Sequence, residues 1–493
     1  MNKQVFKAAP KIVTGSILLL LFATLFPFNF SFKEGLSFEK VISSFNNSTH
    51  LSDQINNVLL FIPLGFGLTC LLHARRLGAA AKLATVLFIS AGLSLTVEVL
   101  QAFLPSRAPT PADILNNSAG GLLGFLGFYL WKFKIISYAS AIIVQSKKRV
   151  SIKQLTAIFI GYIALTFLIP IPLQNITSLS NWDLTFPLLL GNERTGDRPW
   201  QGYISQVYIA DRGISKVEVA QVFTDKGSLN IIRDSLLAAY QLTGQGSYPD
   251  QTKHLPDLSS RGQPPKTQDG TGVFLTSSHW LETAAPVNWM NQRIRETTQF
   301  TLGATVATAD TTQIGPARIV SLSSNTTERN FTLGQEGSNL VFRLRTPING
   351  KNAAYHKQVV NNIFADTKPH HIVITYANSV LQVYIDKLQN LHSFNLLELI
   401  PKSEKIMYYG LMFIPIGSLL AIITTISKGR FVFYIFLYSG MLLPSLIVES
   451  ILATWSGRSI KLENLLISIL IMACTILSFK LFTPARLKSN IAN

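Results

Sequence analysis

The sequence predicts a polytopic α-helical membrane protein of about eight spans that carries one inserted all-β domain, a jelly roll or sandwich. Three observations predict it. Apolar residues make up 48% of the 493 and charged residues only 14%. The apolar residues gather into runs of spanning length, since a helix needs about 20 residues to cross a ~30 Å hydrocarbon core. Residues 173–400 instead alternate apolar and polar with period two, as half-buried strands do.

The eight expected spans fall near 12–29, 55–72, 83–104, 114–131, 155–172, 406–426, 431–449 and 463–482. The second and fourth are short and Gly-rich. The first follows Lys3, Lys7 and Lys11 as a signal peptide would, but no small-x-small cleavage site follows it, so it reads as an uncleaved helix. The chain thus divides into a five-helix membrane domain at 1–172, the β domain at 173–400, and a three-helix membrane domain at 401–493.

The net charge of +17 resembles a nucleic-acid signal, but its distribution excludes one. Residues 173–400 hold 19 basic and 18 acidic side chains, and the rest of the chain holds 24 basic and 8 acidic. The excess sits in alternate loops: Lys3 to Lys11, Arg75/Arg76/Lys82, Lys132 to Lys153, Lys428/Arg430 and Lys480 to Lys488. Cytoplasmic loops carry such excesses, so both termini are expected inside and 173–400 outside a bacterial plasma (inner) membrane. The partners expected are then the bilayer and an envelope glycan, not nucleic acid. The two cysteines, Cys70 and Cys474, fall in spans, so the β domain has no disulfide to rely on.

Within the β domain, runs such as Gly202–Ile209, Phe300–Val306, Asn339–Arg345 and His371–Tyr376 are separated by turn residues, and Ser215–Phe223 interrupts them as a short helix.

The membrane parts contain a repeat. Asn57-Val-Leu-Leu-Phe-Ile-Pro63-Leu-Gly65, then Glu98 and Arg107, is echoed by Tyr409-Gly-Leu-Met-Phe-Ile-Pro415-Ile-Gly417, then Glu449 and Arg458. An acid follows in each, Asp113 and Glu463. Both copies run in the same orientation, which makes the duplication a parallel one.

Charge in a membrane is costly, so ionisable groups there are functional candidates. Asn57, Glu98, Gln101, Arg107, Asp113, Asn116 and Asn117 all lie at the outer helix ends and form one candidate polar pocket. Glu98 and Gln101 share a helix face because they are three apart. The plainer reading pairs Glu98 with Arg107 and makes Asp113 a helix N-terminal acid. The second copy keeps the charges Glu449, Arg458 and Glu463, but has Leu452 for Gln101 and Tyr409 for Asn57. A single pocket would therefore belong to the first copy.

These residues carry a resemblance. The Asn57…Phe61-Ile-Pro63-Leu-Gly65 box, Glu98-x-x-Gln101, Arg107 and Asp113-Ile-Leu-Asn116-Asn117-x-x-Gly120 resemble the VanZ-like family, with an echo at 409–464. The resemblance implies a small bacterial integral membrane protein. The family's name-giving member is associated with resistance to the glycopeptide teicoplanin. No reaction follows from the resemblance.

The β domain resembles the concanavalin A-like lectin/glucanase (laminin G-like) superfamily. The carrying residues are Gly191-Asn-Glu-Arg…Trp200-x-Gly202…Asp211-Arg212, Phe331-Thr-Leu-Gly334, and His370-His-Ile-Val-Ile-Thr-Tyr376…Val383-Tyr-Ile-Asp386. Their order looks permuted. The superfamily's retaining hydrolases hold two carboxylates on one strand as Glu-x-Asp-x-x-Glu, and that run is absent from 173–400. This favours binding over hydrolysis, so no catalytic residue is assigned. Trp200, Trp280 and Trp289 are candidate sugar platforms, although burial in the core is the plainer reading, most of all for Trp200. Arg343, with Arg318, Arg329 and Arg345, is a candidate contact for an acidic glycan, or else one solvated strand face. Calcium is compatible with such a domain, but no motif signals it, and no metal ligand set is assigned. His370 and His371 are adjacent on a strand and point opposite ways.

The expected function is envelope glycan binding on a membrane anchor, in polysaccharide handling or glycopeptide tolerance. The alternatives are a membrane-embedded enzyme or transporter for a lipid-linked glycan, and a structural scaffold for partner proteins.

Overall fold

The structure is a computed structural model that describes residues 3–26, 28, 30, 51–75, 77–101, 103–104, 111–132, 150–224, 229–243, 246–263, 272–354, 356–427 and 429–482. Arg107, Arg76, Lys428 and the 31–50, 133–149 and 483–493 segments lie outside it, and with them much of the charge asymmetry read above.

The chain forms two compact units. The first comprises 1–167, 406–447 and 462–493, and the second 168–405 and 448–461.

In the first unit, helices α1 (Lys3–Leu25), α2 (Leu51–Ala74), α3 (Ala79–Gln101) and α4 (Pro111–Lys132) pack around Leu20, Phe61, Leu64, Val86, Val97 and Phe125. Glycine permits the closest approach, which lies between α2 and α4. A Cβ on Gly65 would stand 2.2 Å from the Gly121 carbonyl oxygen, and one on Gly124 2.2 Å from that of Ile62. Helix α5 (Ile152–Thr166) starts with a Ser151–Gln154 capping box and is followed by α6 (Pro170–Asn175).

Among the described residues, seven helices are long and apolar enough to cross a membrane. The fourth expected span, 114–131, forms α4, a 22-residue helix of suitable length, but Asp113, Asn116 and Asn117 crowd its first two turns. Its polarity, not its length, sets it apart. Large apolar side chains such as Leu18, Phe88, Ile160 and Leu470 face outward, as lipid-facing positions do.

In the second unit α6 is followed by β1 (Leu188–Leu190), β2 (Gly202–Ala210), α7 (Lys216–Thr224), β3 (Leu236–Gln241), β4 (Leu258–Gly262), β5 (Val273–Leu275) and β6 (His279–Thr283). It continues with α8 (Asn288–Thr297), β7 (Phe300–Thr308), β8 (Ala317–Ser323), β9 (Arg329–Glu336), β10 (Asn339–Leu344) and β11 (Gln358–Val360). Strands β12 (His370–Ala377), β13 (Val380–Ile385) and β14 (Lys387–Asn395) complete it. One sheet has the order β11-β10-β9-β8-β1-β6-β4, and the other β14-β13-β12-β7-β2-β3, with β5 also on β2. All the recorded pairings are antiparallel, and early β1 and β2 sit mid-sheet, flanked by later strands.

One apolar core joins the sheets, with Leu190, Leu322, Phe331 and Phe342 from the first meeting Val207, Leu302, Ile374 and Val383 from the second. The outer faces differ. That of the second sheet is sealed by α7, where Val219 and Val222 cluster with Tyr208, Val373 and Tyr384. That of the first is polar.

The remaining helices are α9 (Lys402–Ile426), α10 (Arg430–Trp455) and α11 (Leu462–Phe482). Pro63 and Pro415 lie inside α2 and α9. In the first unit α5 docks on α10: the Tyr162 hydroxyl donates to the Gly440 carbonyl at 2.5 Å, and Phe159 stacks on Phe436.

Candidate functional sites

In the first unit one face of α3 gathers polar residues, two of which, Glu98 and Gln101, belong to the expected pocket. Ser90, Ser94, Glu98 and Gln101 are all buried there. The Gln101 amide donates to the Thr24 carbonyl of α1 at 3.0 Å, which fixes α1 against α3. From α4, Asn117 donates to Ser94 Oγ at 2.8 Å, while Asp113 is buried and Asn116 half-buried. The Asn116 Nδ2, Asn117 Oδ1 and Ser90 Oγ atoms have no hydrogen-bond partner among the described residues. Asn57 is half-buried on α2. Arg107, the expected partner of Glu98, lies outside the described residues. Ser90 and Ser94 were not singled out in the sequence, because serine in an apolar helix carries no signal until its neighbour is known.

Of the echoed charges, Glu449 and Arg458 are held in the second unit. Arg458 meets buried Glu449 with both guanidinium Nη groups, and Lys461 N–H donates to the same carboxylate at 2.8 Å. Glu398 adds a second acid, 3.9 Å from Arg458 and 3.4 Å from Lys461. This closed fork leaves Glu449 saturated. Glu463 is exposed, and Tyr409 and Leu452 are buried.

The outer face of the first sheet is the other polar surface. Register sets it: Ser321 pairs with Thr332 and Thr332 with Arg343, while their neighbours Leu322, Phe331, Phe342 and Leu344 turn into the core. Arg318 lies on the same outer face, just before the register shift that leaves Ile319 unpaired. Glu193, in the turn after β1, accepts from Arg318 at 3.2 Å and from Ser323 at 2.6 Å, and both members of the ion pair are almost fully buried. Arg329 is buried as well, with Nη2 on the Thr326 carbonyl and Nε and Nη1 without an acceptor among the described residues.

Burial pushes the Arg329 guanidinium down to about 9, and the charges of Arg318 and Arg343 push the same way. Burial, with Arg318 and Arg198, pushes Arg343 down to about 10. Either group keeps its proton at neutral pH, so the shifts record burial first and neighbouring positive charge second. Burial raises the Glu193 carboxyl despite Ser323 and Arg318. A solvated strand face is thus excluded for Arg318 and Arg329. Glu193 lay within a quoted motif, but only the fold showed it to be the acid of this cluster.

The tryptophans separate. Trp200 is not a sugar platform: it is fully buried and donates to Gln335 at 2.8 Å, because Gly202 leaves its ring room. Trp280 is half-buried on the outer face of the first sheet, with no acceptor for its indole N–H among the described residues. Trp289 is exposed on α8 against the His254 ring. His370 bonds Asp386 at 2.7 Å, and His371 turns instead toward Tyr208 and Phe223. Among the described residues, no three His, Cys, Asp or Glu side chains gather as a metal site.

Residues 12–132 match the VanZ/LLP1 family model. Protein VanZ of Enterococcus faecium is 34% identical over 83 residues, which are 17% of this chain and 48% of that protein. The chain therefore spans about half the length of the curated relative it matches. No solved structure matches the chain. Residues 12–132, on α1–α4 and including the polar face of α3, thus carry a VanZ/LLP1 domain.

Proposed function

We propose that this protein is a multi-pass protein of a bacterial plasma membrane whose β unit lies outside and recognises an envelope glycan, and whose helices anchor it there. The observation that carries the reading is the contrast between the sheets. One outer face is sealed by α7, and the other presents Arg343, Trp280 and Arg198 around a buried polar floor. Binding fits better than hydrolysis, because Glu193 is taken up by Arg318 and Ser323, and Glu282 by Arg194 and Arg261. A glycosidase needs one carboxylate to protonate the leaving group and another as nucleophile or base. The similarity to Protein VanZ supports a role in glycopeptide tolerance.

Two measurements test this. A single cysteine placed at Trp289 in a Cys70→Ser/Cys474→Ser background should react with an impermeant maleimide added to whole cells. Protection there, with labelling at 147–153, would reverse the topology. The purified chain in nanodiscs should retain envelope polysaccharide, and retention of none would remove the glycan-binding role.

A second reading is favoured by the first unit. Buried Glu98 and Asp113, with the Asn116 and Asn117 amides, would form the pocket of an enzyme or transporter handling a lipid-linked glycan. Loss of function in Glu98→Ala at unchanged protein level would support it, and loss of the protein would mark Glu98 as structural.

A further inference from the structure

Among the described residues, the first sheet's outer face gathers four guanidinium groups near the acids Glu193, Asp197 and Glu336. Arg318, Arg329 and Arg343 lie within electrostatic reach of one another, and Arg198 adds a fourth charge from the loop after β1. Glu193 is the buried acid among them, with one oxygen on Arg318 and the other on Ser323. Burying a guanidinium without an acceptor costs free energy, and breaking up buried ion pairs is strongly destabilising. Yet Arg329 is fully buried with two donor nitrogens unmatched among the described residues, and the Nε of Arg343 and the Oγ1 of Thr332 are unmatched as well. Thr332 and Arg343 are cross-strand partners on this face. Arg343 is half-buried and Arg198 exposed, so the cluster runs from a dry floor to a solvent-reachable rim.

We propose that this face binds an oxyanion, a carboxylate or phosphate borne by an envelope polymer, with Arg329, Arg343 and Thr332 donating to it and Arg198 guarding its entrance. The proposal rests on the glycan-binding reading and sharpens it from neutral sugar to acidic polymer. A planar guanidinium suits both anions, since each offers two oxygens to its fork. Glu193 does not compete for the ligand, because Arg318 and Ser323 hold it, and it orients Arg318 instead. Trp280, on the same face, supplies an apolar ring and an indole N–H beside the charge.

The test uses the full chain in nanodiscs. Titration calorimetry would compare polygalacturonate, which bears carboxylates, with poly(glycerol phosphate) and with a neutral β-glucan. Inorganic phosphate and free galacturonate would be added in thermal unfolding. We expect an acidic polymer to bind, the neutral one to bind at least tenfold more weakly, and Arg343→Gln to remove at least tenfold of the acidic affinity. The preferred polymer distinguishes carboxylate from phosphate. Arg329→Met should raise the unfolding temperature and abolish stabilisation by the free anions, since it removes an uncompensated charge. If Arg329→Met does not fold, Arg343→Gln at the rim still decides the matter.

Equal binding of neutral and acidic polymers, unchanged in Arg343→Gln, would overturn the oxyanion site and leave the glycan reading standing. Anion stabilisation that requires Arg343, with no polymer bound, would leave the oxyanion site standing and remove the glycan reading. No response to any anion, or a lower unfolding temperature in Arg329→Met with the anion response kept, would overturn the site.

Discussion

The two three-helix segments, α2–α4 and α9–α11, start from the same sequence elements and end in different chemistry. Each first helix contains a proline, and each places the glycine two residues later against its third helix: Gly65 on Gly121, and Gly417 on Met472 and Thr475. In the later segment Glu449 is saturated by Arg458 and a backbone N–H, and Leu452 and Tyr409 fill the amide positions. In the earlier one Gln101 holds the carbonyl of another helix, and Asn116 and Asn117 keep polar atoms without partners among the described residues. We read this as a duplication in which one copy became a structural clamp and the other kept the polar face of the VanZ/LLP1 domain. The lesson is that a shared glutamate does not bring shared neighbours: Leu452 and Tyr409 stand in the later segment where the earlier one has Gln101 and Asn57.

The largest expected effect breaks the later clamp. Arg458→Met leaves Glu449 buried and unpaired, which should cost about 3–5 kcal/mol. The double variant Glu449→Leu/Arg458→Met should recover most of it, read as unfolding in detergent. A double variant no better than the single would deny that the pair is merely structural.

A smaller effect distinguishes the glycines. A Cβ on Gly65 would stand 2.2 Å from a backbone oxygen that cannot yield, whereas one on Gly417 meets its nearest atoms at 3.1 Å. Gly65→Ala should therefore lose on the order of 1–3 kcal/mol and Gly417→Ala clearly less. Equal losses would mean that the two helix pairs are packed alike.

The smallest effect converts the first copy toward the second. Gln101→Leu removes one amide hydrogen bond, worth about 1 kcal/mol. Folding should survive it. If α3 carries function, activity in glycopeptide-challenged cells should fall while protein levels hold. Unchanged activity would make the first copy as structural as the second.

These contrasts also show where sequence reading stopped. The Phe-Ile-Pro-x-Gly box and the Glu-to-Arg spacing were legible because helix periodicity turns spacing into geometry. The partners of Asn117 and Gln101 were not, because Ser94 and the Thr24 carbonyl come from other helices. In the β unit the strands were legible from alternation, but Trp200 and Arg329 show the limit: whether a strand face is wet depends on what covers it.

Apolar run length and period-two alternation by themselves determined that this chain has membrane-type helices and a separate β unit, since hydrophobic burial follows local pattern. Only the tertiary structure decided that one sheet is sealed by α7 while the other buries Arg318 against Glu193. Charge compensation is a property of groups far apart in sequence. Glu193 and Arg318 are 125 residues apart, and no local pattern pairs them.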